Sequence, residues 1–144
     1  MFDAPILILG DVMLDRHVHG HVRRISPEAP VPIVAWHSED HSPGGAGNVA
    51  ASVAALGSPV TLAGLVGPDA EADDLRASLR SRGVHRLILH TGPGIATVTK
   101  TRILSDAHHQ LLRLDRDGDR NAYVAATPAL LGEILTRIDS HQAV

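Results

Sequence analysis

The stretch SPGGAGNVAASVAALG, residues 42–57, sets three glycines and one asparagine at the opening of an apolar helical pattern and a fourth glycine at its end. After the glycines, Val49, Val53 and Leu56 recur at helical spacing with alanines between them, and Gly57 follows as a stop signal. So many alanines let such a helix lie close against a sheet. The bare backbone before it has three readings. Gly45-Ala46-Gly47-Asn48-Val49-Ala50 fits G-x-G-x-x-A, a form of the dinucleotide fingerprint, but a polar stretch, HSEDHSPG (37–44), replaces the tight turn that should join it to a strand. No Gly-Lys-Ser/Thr follows, so a Walker-type phosphate loop is excluded. A plain glycine turn is the second reading. The third is clearance for a polyhydroxy ligand. Free amides at a helix start donate to hydroxyl oxygens, Asn48 both donates and accepts, and Asp11 and Asp15 accept.

Working outward, PILILGD (5–11) reads as a buried parallel strand with Asp11 at its carboxyl end, where open α/β sheets place their ligands. Residues 12–24 are polar and read as loop or a short exposed strand. SPEAPVP (26–32) is extended, VPIVAW (31–36) alternates as a strand, and 37–44 is loop. PVTLAGLVG (59–67) is the next buried strand. Residues 69–82 form an amphipathic helix on Leu75 and Leu79, with Gly83 after its end, and VHRLILH (84–90) is a strand. IATVTKTRILS (95–105) and HQLLRLD (109–115) read as two half-wet strands around a polar turn at Asp106-Ala107-His108. Thr127-Pro128 is an N-cap and first-turn pair opening a helix through about Ile138. A β-α-β order calls for another core strand after that helix, and the sequence shows none. The class is α/β.

The 144 residues suit one compact domain or a piece of a larger one, with ordinary apolar (44%) and charged (20%) content. Aromatics are limited to Phe2, Trp36 and Tyr123, too few for a platform that stacks single-stranded nucleic acid. A net charge of −3 offers no general attraction to nucleic acid or anionic membrane. The absence of cysteine excludes disulfides and thiolate chemistry. No signal peptide or spanning segment is visible, so a cytoplasmic location is expected. His17, His19 and His21 alternate on an extended segment and could share a face as metal ligands, but no carboxylate cluster completes the set; exposed or interface histidines are the favoured reading. Asp115-Arg116-Asp117-Gly118-Asp119 hints at a calcium loop, yet its glycine falls at the wrong place and Ala126 stands where the closing Glu belongs.

GGAGNVAASVAALG (44–57), continued to Gly67, resembles the first signature of the ribokinase-like (PfkB) carbohydrate kinases. Within that family, GDVMLDRHVHG (10–20), RISPEAPVPIV (24–34), PGGAGNVA (43–50), and TKTRILS (99–105) with QLLRLD (110–115) are similar to the kinases of D-glycero-β-D-manno-heptose 7-phosphate. The resemblance runs from about residue 4 to 140. It implies a ribokinase-like core sheet flanked by helices, with a small β-sheet lid at about 12–36 and 95–115, in what is expected to be the N-terminal part of the kinase domain. It also implies that Gly44, Gly45 and Asn48, beside Asp11 and Asp15, contact the sugar. Lys100 and Arg102, on one face at i, i+2, together with Arg113, would hold the sugar's phosphate or help close the lid; otherwise they are solvated strand cations that discourage edge pairing. ATP and Mg²⁺ are implied as cofactors, a sugar phosphate as substrate, and a homodimer through the lid as an expected partner. The family's second signature, a Gly-Ala-Gly-Asp-like anion hole and base, has no match between 58 and 144. The catalytic base and the ATP site are therefore expected beyond residue 144, and no kinase activity is expected of this chain alone.

Overall fold

The computed structural model describes residues 4–106 and 109–144. A parallel sheet of β1 (Ile6–Leu9), β4 (Val60–Leu65) and β5 (Arg86–His90) runs in the order β1-β4-β5. Its alternation sorts two cores. Ile8, Leu62 and Leu87 share a register row facing helices α1 (Ala46–Ala55) and α2 (Ala70–Ser81). Leu7, Ala63 and Ile88 face the other way and bury Leu130 and Ile134 of α3 (Arg120–Leu135). Helices on both faces explain why these strands are apolar without a break.

The second sheet has the order β3-β2-β6-β7, built from β2 (Val12–Ile25), β3 (Pro32–Gly45), β6 (Val98–Leu104) and β7 (Gln110–Arg116). β2 pairs antiparallel with β3 and parallel with β6, and β6 pairs antiparallel with β7. Its root is set in the main core, where Val12 and Leu14 pack with Leu62, Leu75 and Leu79.

Several expectations are corrected. Residues 12–24 are neither loop nor a short strand, and 37–44 is not a loop: β2 and β3 form one long hairpin. Ion pairs across it, Arg16–Glu39 at 2.6 Å and His17–Asp40 at 3.3 Å, let polar strands pair where no apolar alternation betrays them. The buried face of α1 is Gly47, Ala50 and Ala51, while Val49 and Leu56 are exposed; the small side chains permit close approach to the sheet. α3 starts seven residues before Thr127, at Arg120, capped by the Asp119 carboxylate, which accepts from Asn121 N at 2.9 Å. Pro128 therefore sits inside the helix. The carbonyl it leaves unpaired belongs to exposed Val124, and Thr127 Oγ1 donates to the Tyr123 carbonyl at 2.8 Å. After α3 the chain does return to the sheet: Ile6 pairs with Ala143 in a parallel bridge, and Leu7 N donates to Ala143 O at 3.0 Å. Of the expected turn at 106–108, Ala107 and His108 lie outside the described residues.

The two sheets cross at Gly64, where an added Cβ would lie 2.2 Å from Val12 Cγ2 and 2.9 Å from the Gly10 carbonyl. Gly64→Ala is expected to destabilise the chain by about 1–3 kcal/mol through overpacking, read as a lower urea midpoint at constant slope.

Candidate functional site

A cavity of about 600 Å³ opens at the carboxyl ends of β1 and β4. Leu9, Gly10, Asp11, Gly64 and Leu65 line it from the strand ends; Met13, Val98 and Lys100 come from the second sheet; Asp117, Gly118, Arg120 and Tyr123, from the segment after β7 and the start of α3, complete it. The glycines singled out in the sequence stand at one margin. Gly45 has φ +56°, and a Cβ there would sit 2.4 Å from the Asp11 carbonyl oxygen, which accepts from Ala46 N at 2.9 Å. A Cβ on Gly44 would lie 2.7 Å from Asp15 Oδ2 and from Met13 Cγ. The bare backbone thus allows the end of β3 to pass directly over the start of β2, and it brings Gly44, Gly45, Asp11 and Asp15 together. Asn48 lies in the first turn of α1 with an exposed side chain, and its carbonyl accepts from Ser52 Oγ at 2.9 Å.

Register places the charged residues of the second sheet on one face in two rows. Ser42, Asp15, Lys100 and Asp115 form the first; Asp40, His17, Arg102 and Arg113 form the next. Lys100 Nζ donates to Asp115 Oδ2 at 3.1 Å, and Arg113 donates to both oxygens of the same carboxylate at 2.9 and 2.8 Å. Arg113, and after it Lys100, hold the Asp115 carboxyl below the ordinary carboxylate range. Arg102 donates to Asp15 Oδ1 at 2.5 Å. Lys100 and Asp11 share the cavity; Arg102, Arg113 and Asp15 lie outside its lining, farther along the sheet face.

The histidines do not assemble. His17 and His19 flank Asp40, whereas an irregularity between His19 and Gly20 precedes His21, which pairs with Asp106 and lies 5.2 Å from the His37 ring. Among the described residues no group of three or more His, Cys, Asp or Glu could hold a metal ion. ATP finds no fitting cradle at α1 either. Its first amide is already taken by the Asp11 carbonyl, and the same oxygen fills the space beneath Gly45.

Sequence reasoning missed two groups. Asp117, Gly118, Arg120 and Tyr123 reach the cavity because α3 starts early. A Cβ on Gly118 would fall 2.2 Å from the Tyr123 ring, whose hydroxyl donates to the Ala96 carbonyl. The Asp-Gly-Asp run was the available signal, as a turn followed by an N-cap. The second group is a brace on Asp69. Its carboxylate caps α2 by accepting from Ala72 N at 3.1 Å, and also accepts from Thr97 N at 2.9 Å and Thr97 Oγ1 at 2.6 Å. Fully buried Thr97 in turn accepts from Gly67 N at 3.0 Å, and Arg116 approaches Asp69 at 3.8 Å while pairing with Glu71 at 2.9 Å. The brace fixes the points where β6 leaves the core and β7 returns to it.

A family model described as pfkB family carbohydrate kinase matches residues 4–131. The chain belongs to the pfkB family of carbohydrate kinases. Among curated relatives it is 55% identical over 116 residues to the Bifunctional protein HldE of Nitrosococcus oceani, covering 81% of this chain and 24% of that protein. It is 48% identical over 130 residues to that of Pseudomonas entomophila, covering 90% and 26%. The chain thus spans about a quarter of the length of these relatives, within their N-terminal kinase part. Among solved structures, a carbohydrate kinase from Agrobacterium tumefaciens superposes with a TM-score of 0.67 at 25% identity, covering 89% of this chain and 39% of that one. Phosphofructokinase-2 from Escherichia coli, in complex with fructose-6-phosphate, superposes at 0.65 and 20% identity, covering 94% and 42%; that likeness shows the fold. The fold is ribokinase-like α/β, as the sequence resemblance implied.

Burial opposes ionisation of Asp69, but the hydrogen bonds from Thr97 and Ala72 outweigh it and hold its carboxyl below the ordinary value of 3.8. A depressed folded value contributes stability that is present above 3.8 and is lost as pH falls through the lower folded value. Asp69→Ala is therefore expected to cost about 2 kcal/mol near neutral pH, from the lost cap and the stranded Thr97 donors. The gap in melting temperature between variant and native chain should narrow as pH falls below 3.8.

Proposed function

We propose that this chain carries the sugar-gripping part of an ATP-dependent kinase that phosphorylates D-glycero-β-D-manno-heptose 7-phosphate at its anomeric hydroxyl, a cytoplasmic step towards ADP-heptose and the lipopolysaccharide core. One observation carries the reading. In a chain 55% identical to an HldE protein, Asp11 and Lys100 face one cavity at the strand ends, with the Gly44-Gly45 crossing at its margin.

In this reading Asp11 accepts from sugar hydroxyls, Asn48 and the backbone at Gly44 and Gly45 contact the ring, and Asp15 lies behind them. Lys100, with Arg102 and Arg113 next on the same sheet face, helps close the lid through the pairs these cations make with Asp115 and Asp15. The second sheet is the lid over that sugar. ATP and Mg²⁺ are what the family implies, and this reading expects the catalytic base beyond residue 144. The chain's own role is to bind and orient the acceptor.

Exposed Leu112 and Leu114 on edge strand β7 favour a second element of the proposal, pairing of two chains through their lids. Native mass spectrometry at micromolar concentration should show a dimer, and a monomer removes that element.

Heptose 7-phosphate is expected to raise the melting temperature of the chain, whereas ribose and fructose 6-phosphate at equal concentration should not. A larger shift with either of the latter would assign the site to another sugar. Asn48→Ala should weaken heptose 7-phosphate binding about tenfold by calorimetry, the scale of one lost hydrogen bond in a site. An unaltered affinity would remove Asn48 from it.

A further inference from the structure

We propose that Arg120 is the side chain that reads the phosphate of the bound sugar phosphate, an assignment that rests on the sugar site proposed above. The cations of β6 and β7 are matched by carboxylates of their own sheet and of α2. Asp15 takes Arg102, Asp115 takes both Lys100 and Arg113, and Glu71 with Asp69 takes Arg116. Two cations line the cavity, Lys100 and Arg120. Lys100 is already in an ion pair. Arg120 makes none among the described residues, although Asp11 and Asp117 line the same space. It is therefore the cavity cation whose charge is free to meet an incoming anion, and its planar fork can hold two phosphate oxygens at once.

Its position is held from three sides. Asp119 caps the helix one residue earlier, Gly118 gives the Tyr123 ring its room, and the Tyr123 hydroxyl ties the first turn of α3 to the Ala96 carbonyl. The guanidinium is thus carried on a fixed helix start, four residues past the end of β7, and lines the same cavity as Lys100. Asp11 and Asp117 repel a phosphate and attract hydroxyls, so the cavity is polarised: the carboxylates take the sugar's hydroxyls and Arg120 takes its phosphate.

The test is calorimetric titration of the chain with heptose 7-phosphate and with unphosphorylated heptose, at matched ionic strength. The readout is the ratio of the two affinities, which a general loss of folding does not alter in a fixed direction. Arg120→Gln is expected to lower the preference for the phosphorylated sugar at least tenfold, and Arg120→Lys, which keeps the charge, to stay within about threefold of the native ratio. A native-like ratio in Arg120→Gln overturns the assignment while leaving the sugar site standing, and so does an equal loss in both variants. If the native chain binds neither sugar, the site itself falls and Arg120 with it.

Discussion

The carbonyl oxygen of Asp11 sits where the two sheets and the first helix meet. It accepts the first amide of α1 and occupies the space that a side chain on Gly45 would need. From this point β1 ends, β2 begins, and the far end of β3 returns to start α1. A residue larger than glycine at 44 or 45 would push β3 off β2, and the long hairpin would lose its root. The same contact puts Asp11 in the lining of the cavity. Architecture and ligand chemistry thus share one backbone crossing, and the glycine-rich stretch serves both: it is a close approach of chain to chain first, and the margin of a sugar site as a result.

Much of this was legible in the sequence, for identifiable reasons. β4, β5 and α2 carry their periodicity openly, because each buries one or two faces of consistent character. Asp11, Gly44, Gly45 and Lys100 could be picked out because glycines before a helix and a carboxylate after a buried strand are local patterns. The β2–β3 hairpin was illegible as a whole. Only the outer end of β3 alternates as a strand does; toward the root the strands are held by pairs such as Arg16–Glu39 and His19–Asp40, which leave no such alternation in 12–24 or 37–44. α3 was misplaced for a different reason. Thr127-Pro128 is a good helix start in isolation, and only the packing of Tyr123 and the cap at Asp119 shows that the helix is already under way. With the start of α3 went Arg120 and Tyr123, so that wall of the cavity was missed although the Asp-Gly-Asp run before it carried the cap.

The electrostatics of the second sheet follow from its register. Acids and bases are interleaved across the strands, so that Asp15 meets Lys100 and Lys100 meets Asp115 in one row, while Asp40, His17, Arg102 and Arg113 succeed one another in the next. Such a face is nearly neutral as a whole, whatever its number of charges. Cross-strand pairs of this kind help set the register, and each contributes only a few tenths to about 1 kcal/mol. An anion approaching the sheet is therefore drawn less to its many cations than to the place where that compensation ends, at the cavity.

The second sheet is attached to the core at its root, where β2 and β6 lie side by side and Asp69 clasps Thr97 beside them. From there β2 continues for 14 residues, a rod of roughly 45 Å at strand rise. A tilt of about 5° at the root carries the far end through about 4 Å at that length. The sheet is a cantilever: small changes in the clasp at Asp69 are magnified along it, and the residues at its free end, Ile25 and Pro32, travel farthest for the least work at the hinge.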